Sequence, residues 1–279
     1  MDLGMYNQKL EIALSPCPND VFIVSGLLLK IIETTFDFLF YFEDIETLNN
    51  LAINGSFPII KASFAIWKFI FSEYELLPVG SALGFGVGPL LVGIEPYHIE
   101  EFSKLKIAIP GEHTTAHFLF NFFYQGKIKK IFARYDKIIS LLSEKKAELG
   151  ILIHEGRFLY DKYNLYKIVD LGEYWENLTS SPLPLGGFFI KRALSEKIKN
   201  EIVNLFRESI NWAKNNWDKV FPLLKTYAQE LEEETIKKHV NTYVNEYTYE
   251  LRDPALKGLT ILKDYLNIKK SLKEIIWGI

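Results

Sequence analysis

The residues with the most chemistry to offer sit at the ends of short apolar runs. His154 follows Leu149-Gly150-Ile151-Leu152-Ile153, which reads as a buried strand. A strand over Leu149–His154 brings the imidazole to the C-terminal edge of its sheet, where open α/β sheets bind ligands. Imidazole exchanges protons near neutral pH, so His154 is the candidate acid–base group, with a purely structural histidine as the alternative. Glu155 points to the opposite side if the strand continues, which makes it a poor direct partner. Lys61 stands in the apolar run Ile59-Ile60-Lys61-Ala62-Ser63-Phe64. Period-two alternation sends Lys61 and Ser63 to one face, where ammonium and hydroxyl can hold a substrate oxygen together. The plainer reading is a lysine that ends a strand and snorkels to water.

Thr114 and Thr115 follow Pro110-Gly111-Glu112-His113 and open an apolar helix, AHFLFNFFYQ. A helix N-terminus offers N–H groups and partial positive charge, and two hydroxyls add donors, so this is a candidate carboxylate or phosphate site. An ordinary N-cap needs only one threonine. Ser15-Pro16-Cys17-Pro18-Asn19-Asp20 is a stiff connection between a first strand and an apolar helix, either a cleft loop or simply a cap. Nothing in the sequence activates Cys17, which is read as inert. Gly84, Gly86 and Gly88 do not follow a strand and open a helix in the dinucleotide manner, so they read as a tight turn with close backbone approach. His98, His113, His117 and His239 lack the context of His154, and of these His113 is the one near another candidate.

These groups need a scaffold, and the first two-thirds of the chain alternates strand and helix patterns as α/β proteins do. Strands are expected at Lys9–Ser15, Phe36–Ile45, Pro58–Phe64, Gly88–Ile94, Lys106–Pro110, Leu149–His154, Lys167–Leu171 and Gly187–Lys191. Helices are expected at Asp20–Lys30, Ile45–Asn54, Thr114–Gln125 and Tyr135–Lys146. Leu194 to Gly278 is helical in pattern, with Pro222 and Pro254 expected at helix starts. Gly93-Ile94-Glu95-Pro96 and the loop-like Pro182–Gly187 read as two crossovers. They divide the chain into a larger lobe, residues 1–94 with 186–279, and an inserted lobe, 95–185, with a ligand cleft between.

Composition narrows the partners. The 279 residues carry 32 Lys+Arg and 35 Asp+Glu, a net charge of −3, which argues against nucleic acid. With 48% hydrophobic and 24% charged residues the chain is globular rather than disordered, collagenous or a coiled coil. A single cysteine excludes an intramolecular disulfide and any Cys-x-x-Cys pair, and no metal site is expected. The opening MDLGMYNQKLEIALS has no basic segment leading into an apolar core, so a signal peptide is not expected. Apolar stretches fall far short of the about 20 residues of a membrane span, so the expected location is cytoplasmic.

In order along nearly the whole chain, SPCPND, EDIETLN at Glu43–Asn49, KASF, GFGVGP ending at Pro89, PGEHTTA, IHEGRF and HVNTYVN at His239–Asn245 resemble the 1,4-dihydroxy-6-naphthoate synthases of the futalosine route to menaquinone. The combination is specific although no single motif is. The resemblance implies a two-lobed fold of the type II periplasmic-binding-protein kind, with a central cleft and two crossover strands. It implies a cofactor-independent lyase that converts cyclic dehypoxanthinyl futalosine, a small anionic aromatic substrate, to 1,4-dihydroxy-6-naphthoate with release of dihydroxyacetone. Matched motif by motif, His154 corresponds to the family's proposed proton acceptor, Lys61, Ala62 and Ser63 to one substrate-binding segment, and Thr114 and Thr115 to a second. Val21 and Phe85 depart from the family pattern, which often has threonine and arginine there, and bear on substrate preference. The alternatives are chorismate dehydratase of the same route and a binding protein that holds a small anion without chemistry.

Overall fold

The computed structural model describes residues 8–228 and 232–279, except for the side chain of Glu155, so the expectation for that side chain lies outside what is described. In chain order the strands are β1 (Gln8–Leu14), β2 (Phe36–Phe42), β3 (Ile59–Ser63), β4 (Tyr74–Leu76), β5 (Ala82–Gly84), β6 (Leu90–Gly93), β7 (Lys106–Ile109), β8 (Lys129–Phe132), β9 (Leu149–Leu152), β10 (Tyr166–Asp170) and β11 (Leu183–Lys191). They form two mixed sheets. One has the order β2-β1-β3-β11-β4, with β5 also paired to β11; the other has the order β10-β6-β9-β7-β8. Parallel pairing joins β2, β1 and β3, and β8, β7 and β9; the pairs made by β11 and β6 are antiparallel.

Helices cover both sheets. They are α1 (Pro18–Leu28), α2 (Ile45–Ile53), the short α3 (Trp67–Ile70), α4 (Thr115–Phe123), α5 (Ile138–Ser143) and α6 (Leu171–Thr179), followed by α7 (Glu196–Asn215), α8 (Trp217–Tyr227), α9 (Glu233–Tyr243), α10 (Glu246–Tyr249), α11 (Ala255–Tyr265) and α12 (Leu272–Ile275). Helix α1 is buried from Pro18 to Leu27 because α7, α8 and α9 pack on it, so it is apolar on every side rather than striped. Its start is built by the prolines: Pro18 holds the first helical position, and the Cys17 carbonyl accepts from Asp20 N and Val21 N.

The crossings differ from those expected. Leu90–Gly93 lies before the boundary at residue 94, yet it pairs with β9 and β10 in the second sheet, so the chain already leaves the first sheet after β5. Pro182–Gly187 is not a loop after its first residue: β11 starts at Leu183. A proline is tolerated at position 184 because β3 pairs with β11 only from Gly186 onward, and the register on β5 shifts between Pro184 and Gly186. The missing N–H therefore faces an unpaired side. Pro222 falls inside α8, whose start at Trp217 follows directly on the Asn216 break after α7. Pro254 does flank a helix, as the N-cap of α11. Among the described residues no helix is long and apolar enough to cross a membrane.

Candidate active site

Strand β3, the loops after β1 and β9, the start of α4, the β11 segment at Leu185–Gly186 and the end of α9 converge on one cavity. Its lining includes His154, Lys61, Ser63, Thr114 and Thr115, together with Ser15, Asn19 and Asp20 from SPCPND. Ala62 is not in the lining. Its methyl lies in the core, as alternation along β3 requires when Lys61 and Ser63 face the cavity.

Lys61 does not snorkel. Its Nζ lies 2.8 Å from Asp20 Oδ1, with both side chains almost wholly buried, and donates to the Gly80 carbonyl at 2.9 Å. The Phe188 ring is 4.9 Å from the ammonium. Asp20 accepts further bonds: Asn19 Nδ2 reaches Oδ1 at 2.8 Å and Ser15 Oγ reaches Oδ2 at 2.7 Å. An ammonium has three N–H groups, so the third is left for a ligand. Ser63 is held by Asn49 of EDIETLN, whose Nδ2 donates to Ser63 Oγ at 3.0 Å and whose Oδ1 accepts Ser63 N at 2.8 Å. Because Ser63 Oγ accepts from Asn49, its hydroxyl hydrogen can be donated to a substrate.

The threonines are placed as expected, but their hydroxyls are not donors to a ligand. Thr114 Oγ1 donates to Gly111 O at 3.0 Å and caps α4 by accepting His117 N at 3.2 Å. Thr115 Oγ1 donates to Leu185 O at 2.6 Å. An anion at this end is therefore met by backbone N–H groups of the first turn, with Thr115 and Ala116 in the lining.

His154 lies beyond the strand that was expected to carry it. β9 ends at Leu152, and His154 opens a 3₁₀ turn, His154–Phe158, with φ of +53°. The left-handed backbone turns the imidazole away from the strand direction, an uncommon conformation for a residue with a side chain. Cys17 Sγ lies 3.2 Å from His154 Nδ1, Tyr135 packs edge-on at 4.8 Å, and His239 lies nearly parallel at 6.2 Å. Cys17, read as inert, thus touches the candidate base. Arg157 of the same turn donates to Gly86 O at 2.7 Å and pairs with Asp170 at 3.2 Å, while Gly86 N donates to Glu176 at 2.8 Å. Burial, first among several causes, raises the Glu176 pKa above the usual carboxylate range. The glycine run behaves as a turn with close backbone approach: Gly86 has φ of +67°, and a Cβ on Gly88 would lie 2.2 Å from the Gly172 Cα.

Other groups fall elsewhere. Phe85 is half exposed and Val21 is buried in the core, and neither lines the cavity. His113 and His117 are four residues apart, but His113 Nδ1 meets Glu46 at 3.1 Å and His117 Nδ1 meets the Glu112 carbonyl at 2.7 Å. Among the described residues no group of three or more His, Cys, Asp and Glu is placed to hold a metal. The sequence reading missed His239 and Tyr243. The signal was their spacing on a helix, which puts both on one face of α9 within the motif HVNTYVN.

Comparison with known proteins gives this arrangement its context. Two curated relatives carry the name 1,4-dihydroxy-6-naphtoate synthase. The Thermus thermophilus protein is 38% identical, and the match covers 91% of this chain and 93% of the relative. The Streptomyces coelicolor protein is 32% identical with the same coverage. A crystal structure of an Archaeoglobus fulgidus protein superposes with a TM-score of 0.86 at 30% identity, covering 93% of this chain and 98% of that one. The alkanesulfonate-binding protein SsuA from Xanthomonas axonopodis pv. citri, bound to MOPS, superposes with a TM-score of 0.70 at 11% identity, covering 96% and 98%, which shows the two-lobed periplasmic-binding-protein fold. Residues 10–267 match the family model described as menaquinone biosynthesis, and the chain belongs to that family.

Proposed function

We propose that this protein is a cytoplasmic 1,4-dihydroxy-6-naphthoate synthase, a carbon–carbon lyase that takes cyclic dehypoxanthinyl futalosine as its small anionic aromatic substrate and releases dihydroxyacetone. The observation that carries the reading is the convergence of a half-buried imidazole, a buried ammonium and a helix N-terminus on one cavity. The substrate's benzoate carboxylate lies against the backbone N–H groups opening α4, where helix charge favours an anion. His154 takes the proton whose removal begins cleavage of the sugar-derived ring. Lys61, with its remaining N–H, and Ser63, with its hydroxyl hydrogen, stabilise the oxyanion that develops. Aromatisation supplies the driving force. The two sheets act as lobes, the one built from β6 to β10 closing on the other and excluding water from the intermediates.

The test is incubation of the purified protein with cyclic dehypoxanthinyl futalosine, without added metal, followed by mass spectrometry. Appearance of 1,4-dihydroxy-6-naphthoate is the expected result. Unchanged substrate from folded protein overturns the reading and turns attention to chorismate or to capture of an anion without chemistry.

A further inference from the structure

His239 is 1% exposed on α9, and its role is fixed by a chain of hydrogen bonds whose directions can be worked out from one end. An ionised carboxylate only accepts, so Asn19 Nδ2, 2.8 Å from Asp20 Oδ1, is the donor in that bond. This sets the orientation of the Asn19 amide and makes its Oδ1 an acceptor. His239 Nε2 lies 2.9 Å from that oxygen and therefore carries the ring hydrogen. Its Nδ1 is left as a lone pair, buried and without a hydrogen-bond partner. The ring faces His154 at 6.2 Å with 13° between the planes, and Tyr243 packs against it at 4.7 Å. Burial first, and then His154, holds the His239 pKa well below the ordinary histidine value.

We propose that His239 is a positioning residue for the reaction: held as the Nε2–H tautomer by Asn19, it gives His154 a fixed, uncharged face to lie against and couples that base to the Asp20–Lys61 pair. The inference rests on reading His154 as the base. Its chemical sense is that an imidazolium beside His154 would oppose proton uptake there, whereas a neutral ring does not. The link to Asn19 gives His239 a second effect, because Asn19 supplies one of the donors that hold Asp20 against Lys61.

Two variants separate the two connections. His239→Gln keeps an N–H for Asn19 and removes the ring; kcat is expected to fall about tenfold with KM within about threefold, the scale of one lost ring contact. His239→Phe keeps the ring and removes the donor; KM is expected to rise about tenfold with a smaller change in kcat, the scale of one lost hydrogen bond. Equal losses of kcat/KM in both variants that track their losses in melting temperature would mean packing alone and overturn the proposal, as would two variants with unchanged kinetics. Should either fail to fold, long-range proton–nitrogen spectra of ¹⁵N-histidine wild-type enzyme decide the matter. The expected signature at pH 7 is a neutral Nε2–H ring at position 239; an imidazolium or an Nδ1–H tautomer overturns the assignment. The base assignment fails separately: turnover by His154→Ala within about tenfold of wild type would sink it whatever His239 does, whereas a His154→Ala loss of about a hundredfold or more beside inert His239 variants sinks only this inference.

Discussion

Lys61 and Asp20 meet at 2.8 Å inside the cavity wall, both almost wholly withdrawn from water. The pair is supported by polar neighbours: Ser15 and Asn19 donate to Asp20, and the Gly80 carbonyl accepts from Lys61, which leaves one ammonium N–H unused. Desolvating two charges consumes most of what their attraction returns, so the pair is expected to matter less for stability than for what it presents to a ligand. Removing one partner is different. Asp20→Ala strands a buried ammonium and is expected to destabilise the fold by about 3–5 kcal/mol in urea unfolding. The double variant Asp20→Leu/Lys61→Met should recover most of that stability while remaining inactive. A double variant as unstable as the single would show that packing, not charge, was lost.

His154→Ala removes the proposed proton acceptor and is expected to cut turnover by about 10²–10⁴-fold, the usual range for general acid–base catalysis. Substrate affinity by calorimetry should stay within about one order of magnitude, since the proposed binding mode assigns the carboxylate end to α4 and the oxyanion end to Lys61. Loss of binding in step with loss of turnover would make His154 a positioning group instead.

Thr114→Ala tests whether hydroxyls or backbone amides receive the substrate. The side chain caps α4 and bonds back to Gly111, so its loss is expected to cost about 1 kcal/mol of stability. KM should change less than about threefold because the amides remain. A tenfold or larger rise in KM at unchanged stability would return the hydroxyl to the binding site.

Gly88→Ala addresses the backbone behind the cavity. Its new methyl would stand 2.2 Å from Gly172 Cα and 2.3 Å from Gly172 N, which are main-chain atoms with little room to yield. A loss of about 3 kcal/mol or more is expected in thermal or urea unfolding, against about 1–2 kcal/mol for Gly86→Ser, where open space surrounds the added atom and the left-handed backbone alone sets the penalty.

The pH dependence of stability carries the sign of His239. Burial, aided by the neighbouring His154, lowers its folded-state pKa, so the unfolded chain binds the extra proton. Its contribution is therefore intact above the unfolded histidine pKa of about 6.5 and declines as pH falls below that value. Urea unfolding between pH 7.5 and 5.5 should show wild-type stability falling more steeply than that of His239→Gln. Parallel slopes would mean that this histidine is protonated equally in both states.

The sequence located the site better than it described the contacts within it. Strand ends and the helix that starts at Thr115 were legible because apolar runs, proline and glycine punctuate them locally. The extension of β11 through Pro184 was not, because a proline in that run is acceptable only where a neighbouring strand happens to be unpaired. Tyr74–Leu76 and Ala82–Gly84 are too short for periodicity to register, and their existence depends on β11 offering an edge. Lys61 was visible as a charge in an apolar strand, but its partner Asp20 lies on another element, and only folding shows that the ammonium is paired rather than hydrated. The role of His239 was hidden for the same reason: its spacing with Tyr243 was readable, but its partners Asn19 and His154 are both distant in the chain.

The latch at Gly86 opens a way to watch the proposed base without altering it. Arg157, three residues beyond His154, grips the Gly86 carbonyl, and Glu176 grips its amide. That single residue is thus tied to the His154 turn through Arg157, yet it lies outside the cavity lining. An isotope label on Gly86 makes its amide resonance a remote gauge: a shift on adding ligand reports movement of the histidine-bearing turn in an enzyme whose reacting groups are all native.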